Sequence, residues 1–295
     1  MNKRLQYFDG DFLKQLELLH IISKKIVVGR ERAERKAKRI GSGVEFADHR
    51  EYVLGDDLRY LDWNAYGRSD RMLLRLFQEE EDLHVNLIVD GSASMAAGHP
   101  TKFDTARRLA AALGYIALAN LDRVGVTCVD DAVRARSPAS RGRSHIFHLF
   151  DFLSGLEPGA GTDLATAVKN TVHGAERRGM AVLLSDFFDA HGYENAIRWL
   201  VYRRYSPIVI QIVDDAPTTT TLRGDVELVD CESGRTLAAT LSPTVHREYR
   251  DSITTHEHNL ERFCTENNVL YFRAPVQQPF QDVVLRLFRA GRFLK

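Results

Sequence analysis

Cysteine is scarce in this sequence. Cys128, Cys231 and Cys264 are the only three in 295 residues, and they lie far apart. An odd, sparse set excludes a disulfide framework and a zinc knuckle, and it fits free buried thiols in a reducing cytosol. Charge of one sign is lacking as well. Lys plus Arg is 40 and Asp plus Glu is 40. A neutral chain has neither the electrostatic footprint of a dedicated nucleic-acid binder nor the acidic excess of a solvating tail. Long apolar runs are missing. The longest, Leu109 to Leu121, is interrupted by Gly114 and Asn120 and is too short to span a bilayer. The opening Met1-Asn2-Lys3-Arg4-Leu5 leads into no apolar run before a cleavage site, so no secretory signal is expected. Together these absences predict a cytoplasmic protein without a transmembrane segment, with peripheral membrane association as the one membrane role left open.

What is present is ordinary for a folded chain. Apolar residues make up 44% and charged residues 27%, close to the globular average. The length suits one large or two ordinary domains, able to bury about three quarters of the unfolded surface. Residues 1–82 read as an N-terminal extension. Phe12, Leu16, Leu19 and Ile22 follow a helical spacing. A basic stretch, Arg30, Arg32, Arg35, Lys36, Lys38 and Arg39, reads as a solvated arm rather than a nucleic-acid contact, because the whole chain is neutral. Gly- and Asp-rich turns follow, from Gly41 to Trp63, and the acidic run Glu79 to Asp82 closes the extension.

From His84 the rhythm changes. Short apolar runs at Val85–Val89, Val124–Val129, Ala181–Leu184, Ile208–Val213 and Val269–Arg273 alternate with helical patterns. Thr101 with Asp104 three residues later reads as the cap of a helix lined by Leu109, Leu113 and Ile116. Such alternation predicts an α/β fold with a doubly wound, mostly parallel sheet covered on both faces. A β-hairpin around a Gly turn, at about residues 222–241, interrupts it and is read as an insertion in a main domain of residues 83–295.

Ligands of open α/β sheets bind outside the carboxyl ends of the strands. Asp90-Gly91-Ser92-Ala93-Ser94 follows the first apolar strand, and Ser185-Asp186 follows the third. Between them Gly159-Ala160-Gly161-Thr162-Asp163 opens a helix. Two carboxylates and three hydroxyls are hard oxygen donors, which favour Mg²⁺, Mn²⁺ or Ca²⁺ over zinc or copper. Gly91 and Ala93 keep the intervening side chains small, and Gly161 is expected to let the Thr162 loop come close. Each residue also has a plainer reading. Asp90 could be a loop residue or a helix cap, Ser92 and Ser94 could satisfy turn amides, and Thr162 could cap its helix.

Asp90-x-Ser92-x-Ser94, then Gly161-Thr162-Asp163, then Ser185-Asp186 resembles the metal-ion-dependent adhesion site of von Willebrand factor type A domains. Gly41-Ser42-Gly43-Val44-Glu45-Phe46, Arg50-Glu51-Tyr52 and Gly55-Asp56-Asp57-x-Arg59-Tyr60-x-Asp62-Trp63 resemble the signature of a bacterial branch, the domain of unknown function 58 family. The resemblance covers nearly the whole chain. It implies a metal at the carboxyl edge of the sheet, with Ser92, Ser94 and Thr162 in or near direct contact and Asp90 and Asp186 holding the ion directly or through waters. It also implies an open position for a partner's carboxylate, and work alongside a MoxR-type AAA+ ATPase. For Asp56, Asp57, Arg59 and Asp62 the expectation is a buried ion-pair network against the main domain, since Trp63, Phe46 and Tyr52 nearby call for burial, with recognition of the partner as the alternative.

The leading expectation is therefore a non-catalytic, metal-dependent protein-binding module, an adaptor or co-chaperone of such an ATPase. The alternative is a metal-dependent hydrolase of phosphate or ester substrates. Against it, Asp90-Gly91-Ser92 lacks the second Asp of an Asp-x-Asp phosphatase, and no Gly-x-x-x-x-Gly-Lys-Ser/Thr loop occurs. His145 with His148, and His256 with His258, read as solvated or capping pairs.

Overall fold

The computed structural model describes residues 8–34, 45–54, 56–78, 83–159, 161–173, 179–216, 223–232 and 234–290. The chain divides into two compact units, one of Met1–Val27 with Leu83–Lys295, the other of Val28–Asp82. The expected extension, 1–82, is thus split, because its first helix carries an apolar stripe that the larger unit buries.

The larger unit is built on a six-stranded sheet. Its strands are β3 (His84–Asp90), β4 (Arg123–Val129), β5 (Val133–Arg141), β6 (Met180–Ser185), β7 (Ser206–Val213) and β10 (Leu270–Pro275), in spatial order β10-β7-β6-β3-β4-β5. All neighbours run parallel except β5, which pairs antiparallel with β4 at one edge. This is the doubly wound, mostly parallel sheet that the alternation predicts. The central strands are buried on both faces, which is why they read as unbroken apolar runs.

Alternate side chains of β3 serve opposite layers. Leu87 and Val89 join one core with α1 (Gly10–Glu34), α3 (Lys102–Ala119), α4 (Ile146–Gly155) and α8 (Phe280–Ala290). Ile88 joins the other with α5 (Leu164–His173), α6 (Glu194–Tyr202) and α7 (Pro243–Glu266). Thr101 caps α3 as expected, accepting from the Asp104 amide at 2.9 Å. Asp104 itself pairs with Arg107 one turn on. Of the stripe of α1, Phe12, Leu16 and Leu19 are buried and Ile22 is half-buried; Phe8, just before the helix, is buried with them, and the Phe12 ring lies 5.0 Å from that of Phe280.

A second two-stranded sheet, β8 (Gly224–Val229) with β9 (Thr236–Leu241), is the expected hairpin insertion. Its strands are almost wholly exposed. No helix among the described residues is long and apolar enough to cross a membrane.

The smaller unit holds β1 (Glu45–Glu51) antiparallel to β2 (Leu73–Gln78), and α2 (Trp63–Ser69). Sequence reading assigned only turns here. Among the described residues, Leu61, Ala65 and Leu74 are its buried apolar residues. The expected buried ion network is instead partly solvated. Arg50 pairs with Asp56 at 2.7 Å, Arg59 with Asp57, and His49 with Asp62 at 2.9 Å, all with appreciable exposure. Asp62 also caps α2, accepting from the Asn64 and Ala65 amides. Trp63 is 61% exposed rather than buried. The segment 35–44, most of the basic stretch, Gly55 and the acidic run 79–82 lie outside the described residues.

Truncating Phe12 to Ala removes a ring from the core of the larger unit. The expected loss is about 3–5 kcal/mol of stability, read by urea unfolding, with exposed Leu18→Ala within about 0.5 kcal/mol of the parent.

Candidate metal centre

The chain runs outward from β3 through β4 to the β5 edge, then returns to the other side of β3 through β6. The carboxyl ends of β3 and β6 therefore sit side by side at the switch point, where departing loops open a crevice. Asp90 is the last residue of β3 and Asp186 follows the last residue of β6. Both are essentially without solvent exposure.

Asp90 makes a tight turn of its own loop. Its Oδ1 accepts from the Ser92 amide at 2.9 Å, and its Oδ2 accepts from Ser185 Oγ at 2.5 Å. The chain then enters a short 3-10 turn, Ala93–Ala96, in which the Ser92 side chain makes no capping bond. Its hydroxyl lies 3.1 Å from Ser94 Oγ, and Ser94 Oγ donates to Asp186 Oδ2 at 2.9 Å. Asp186 Oδ1 accepts from the Phe188 amide at 3.1 Å. Asp90, Ser92, Ser94 and Asp186 thus form one hydrogen-bonded cluster across two strand ends.

The Thr162 loop is drawn to the same place, though Gly161 is not what brings it. A Cβ on Gly161 would meet nothing closer than 4.0 Å. The close approach is at Gly159, whose amide donates to the Gly91 carbonyl and whose missing Cβ would collide with Arg134 and Asp130. Gly91 is equally constrained, since a Cβ there would stand 2.9 Å from Cys128 Sγ. Thr162 is not the cap of α5. Asp163 accepts from the Thr166 amide at 2.9 Å, and Asp189 accepts from the Leu164 amide at 2.8 Å. The Thr162 hydroxyl instead donates to Glu232 Oε1, from the turn of the β8–β9 hairpin.

Sequence reading missed three groups at this corner. Lys102, in the first turn of α3, places Nζ 2.5 Å from Asp186 Oδ2 and 5.8 Å from the Phe188 ring centre, with its side chain 12% exposed. Glu232 lies in a turn that carried no motif. His256, expected to be solvated or capping, stacks on Phe188 at 4.7 Å, and its Nε2 is buried without a partner. None stands in the strand-end motif, so only the fold brings them near. Cys231, expected to be buried, is exposed beside Glu232, whereas Cys128 and Cys264 are buried and unpaired. A cavity of about 460 Å³ opens nearby, lined in part by Asp189, Tyr193, His256 and Asn259, and it contains none of the five predicted site residues.

Acidic groups crowd this corner. Burial pushes the Asp90 carboxyl up to about 7, with the neighbouring Asp186 charge adding to the shift against the hydrogen bonds from Ser185 and Ser92. Burial likewise raises Glu232 against the hydrogen bond from Thr162, and Asp186, Asp230 and Asp189 push the same way as burial. One ammonium, Lys102, faces this crowd, and it sits on Asp186 rather than Asp90. Among the described residues no three His, Cys, Asp or Glu side chains form a metal-binding group. The donor set is instead two carboxylates and three hydroxyls, all hard oxygens, which fits Mg²⁺, Mn²⁺ or Ca²⁺.

Residues 48–259 match the family model described as protein of unknown function DUF58. The chain belongs to the DUF58 family. It is similar to the uncharacterized proteins Rv1480 of Mycobacterium tuberculosis and Mb1516 of Mycobacterium bovis, each 29% identical over 227 residues, which span 75% of this chain and 71% of each relative. Among solved structures it is similar to BatB of Bacteroides thetaiotaomicron, with TM-score 0.46 and 14% identity over 71% of this chain and 99% of that one. An aerotolerance-related membrane protein of Bacteroides fragilis gives TM-score 0.45 and 16% identity over 70% of this chain and 99% of that one.

The division of labour at α5 of this DUF58 chain is testable. Asp163→Ala should cost about 1 kcal/mol of stability as a lost helix cap, whereas Thr162→Ala should leave the unfolding free energy from urea titration within about 0.5 kcal/mol of the parent. Equal losses would mean that Thr162 serves the helix after all.

Proposed function

We propose that this DUF58 protein is a non-catalytic, metal-dependent protein-binding module. It acts as adaptor or co-chaperone of a MoxR-type AAA+ ATPase and works in the cytoplasm. The observation that carries the reading is the hydrogen-bonded set Asp90, Ser92, Ser94 and Asp186 at the switch point, with Thr162 on the adjoining loop. Mg²⁺, or Mn²⁺ or Ca²⁺ in its place, would supply a directional positive charge that binds one partner carboxylate.

The chain's own residues prepare that exchange. Ser92, Ser94 and Thr162 offer neutral oxygens, so the site holds a cation without cancelling its charge. Asp90 and Asp186 supply the negative charge from buried positions, where solvent screens them little. Ser185 and the Ser92 and Phe188 amides fix their orientation. Lys102 balances Asp186 when no metal is bound and must move off it when one is. Phe188, 42% exposed beside Asp186, offers an apolar contact at the rim for residues flanking the partner's carboxylate.

Calorimetric titration with Mg²⁺ and Mn²⁺ should give one site in the wild type, weakened about 10–100-fold or lost in Asp90→Ala. Tagged protein should retain a MoxR-type ATPase from lysate with Mg²⁺, and lose it with chelator or in Asp90→Ala. No heat at millimolar metal would overturn the metal-dependent reading. Capture of the same ATPase despite chelator and mutation would move the binding to another surface.

A further inference from the structure

We propose that Glu232, in the turn of the β8–β9 hairpin, is the chain's own carboxylate for the metal site and stands where a partner's carboxylate would bind. The inference rests on the metal-binding reading above and adds a ligand from within the molecule. In a site that takes its last ligand from outside, a resident carboxylate is a plug that the partner must displace.

The contact itself is the first ground. Glu232 Oε1 accepts from the Thr162 hydroxyl, across 70 residues of sequence. Thr162 is available for this because Asp163 and Asp189 serve the amino end of α5. The carboxylate is therefore directed at one of the hydroxyls of the donor set, not at a helix end or a turn amide.

The build of the hairpin is the second ground. Its strands bury almost nothing, and Leu228, Val229 and Leu237 stand 48%, 64% and 65% exposed. A hairpin without a core of its own is marginal in water. Its turn is nevertheless organised. The Glu232 amide donates to Asp230 Oδ1 at 2.9 Å, the Asp230 amide to the Arg235 carbonyl at 2.8 Å, and Gly234 takes φ +67° with its amide on the Asp230 carbonyl. These turn bonds fix the backbone that presents Glu232.

Charge is the third ground. Glu232 stands near the carboxylates of Asp186, Asp230 and Asp189. Lys102, the nearby cation, is already on Asp186. A carboxylate held among carboxylates is unfavourable unless a cation lies between them. A divalent ion among Ser92, Ser94 and Thr162 would turn that repulsion into ligation.

The test uses Mn²⁺ as the probe on the full chain, with water-proton relaxivity per bound ion as the deciding readout. Wild type, Glu232→Gln, Glu232→Ala and the exposed control Glu227→Gln are each loaded with Mn²⁺. Removing a resident carboxylate opens a coordination position to water, so both Glu232 variants should show higher relaxivity per bound ion than wild type and control. Acetate should then quench the relaxivity of Glu232→Gln at concentrations about tenfold lower than in wild type, because it no longer competes with a tethered group at millimolar effective concentration. Equal relaxivity and equal acetate sensitivity in all four proteins would overturn the proposal while leaving the metal site intact. Failure of the wild type to bind Mn²⁺ at all would overturn the metal-binding reading, and this inference with it. A purely structural Glu232 would shift the melting temperature without moving either readout.

Discussion

Two carboxylates almost without water, Asp90 and Asp186, stand side by side at the switch point of the sheet, and the cost of keeping them there shapes their surroundings. Neither could persist unpartnered in so dry a place. Hydrogen bonds from Ser185, Ser94 and two backbone amides use their lone pairs, and Lys102 supplies one positive charge. That leaves two acids against one ammonium, with Glu232 as a third acid at the margin. A polar cluster of this kind contributes little to stability by itself. An apolar filling would be the cheaper core.

The backbone bears the same constraint. The loops carrying Asp90 and Thr162 meet where Gly91 and Gly159 leave room, one against Cys128 and the other against the side-chain ends of Asp130 and Arg134. Lys102 reaches Asp186 because Thr101 fixes where α3 begins, one residue before it. Parallel strands deliver all these loops to one edge, and the two cores on either face hold that edge rigid. The hairpin, by contrast, is an exposed element on this frame, suited to move without disturbing the sheet.

Much of this was legible in the residues. Apolar runs of five or six with helical patterns between them specify a parallel sheet, and the tendency of ligands to bind outside the carboxyl ends of its strands then directs attention to Asp90, Thr162 and Asp186. The small unit was less legible. Its strands 45–51 and 73–78 alternate charged and apolar residues irregularly, and Gly- and Asp-rich turns masked them. Its polar signature read as a buried network because Trp63 suggested burial, whereas Trp63 is exposed and Asp62 works as a helix cap. Lys102, Glu232 and His256 were invisible for a different reason. Each is an ordinary residue in an ordinary helix or turn, and only the crossing of distant segments gives it a role. Gly161 shows the converse, a motif glycine whose expected task falls to Gly159.

If a cation is what the buried acids require, its position follows from the oxygens that face them. The most direct measurement is the anomalous scattering of Mn²⁺ in crystals of the full chain grown with that ion. The account predicts one strong peak among Ser92, Ser94 and Thr162, within reach of Asp90 and Asp186, with the Lys102 ammonium withdrawn from Asp186. A loaded crystal with no peak there, and Lys102 still paired with Asp186, would contradict it.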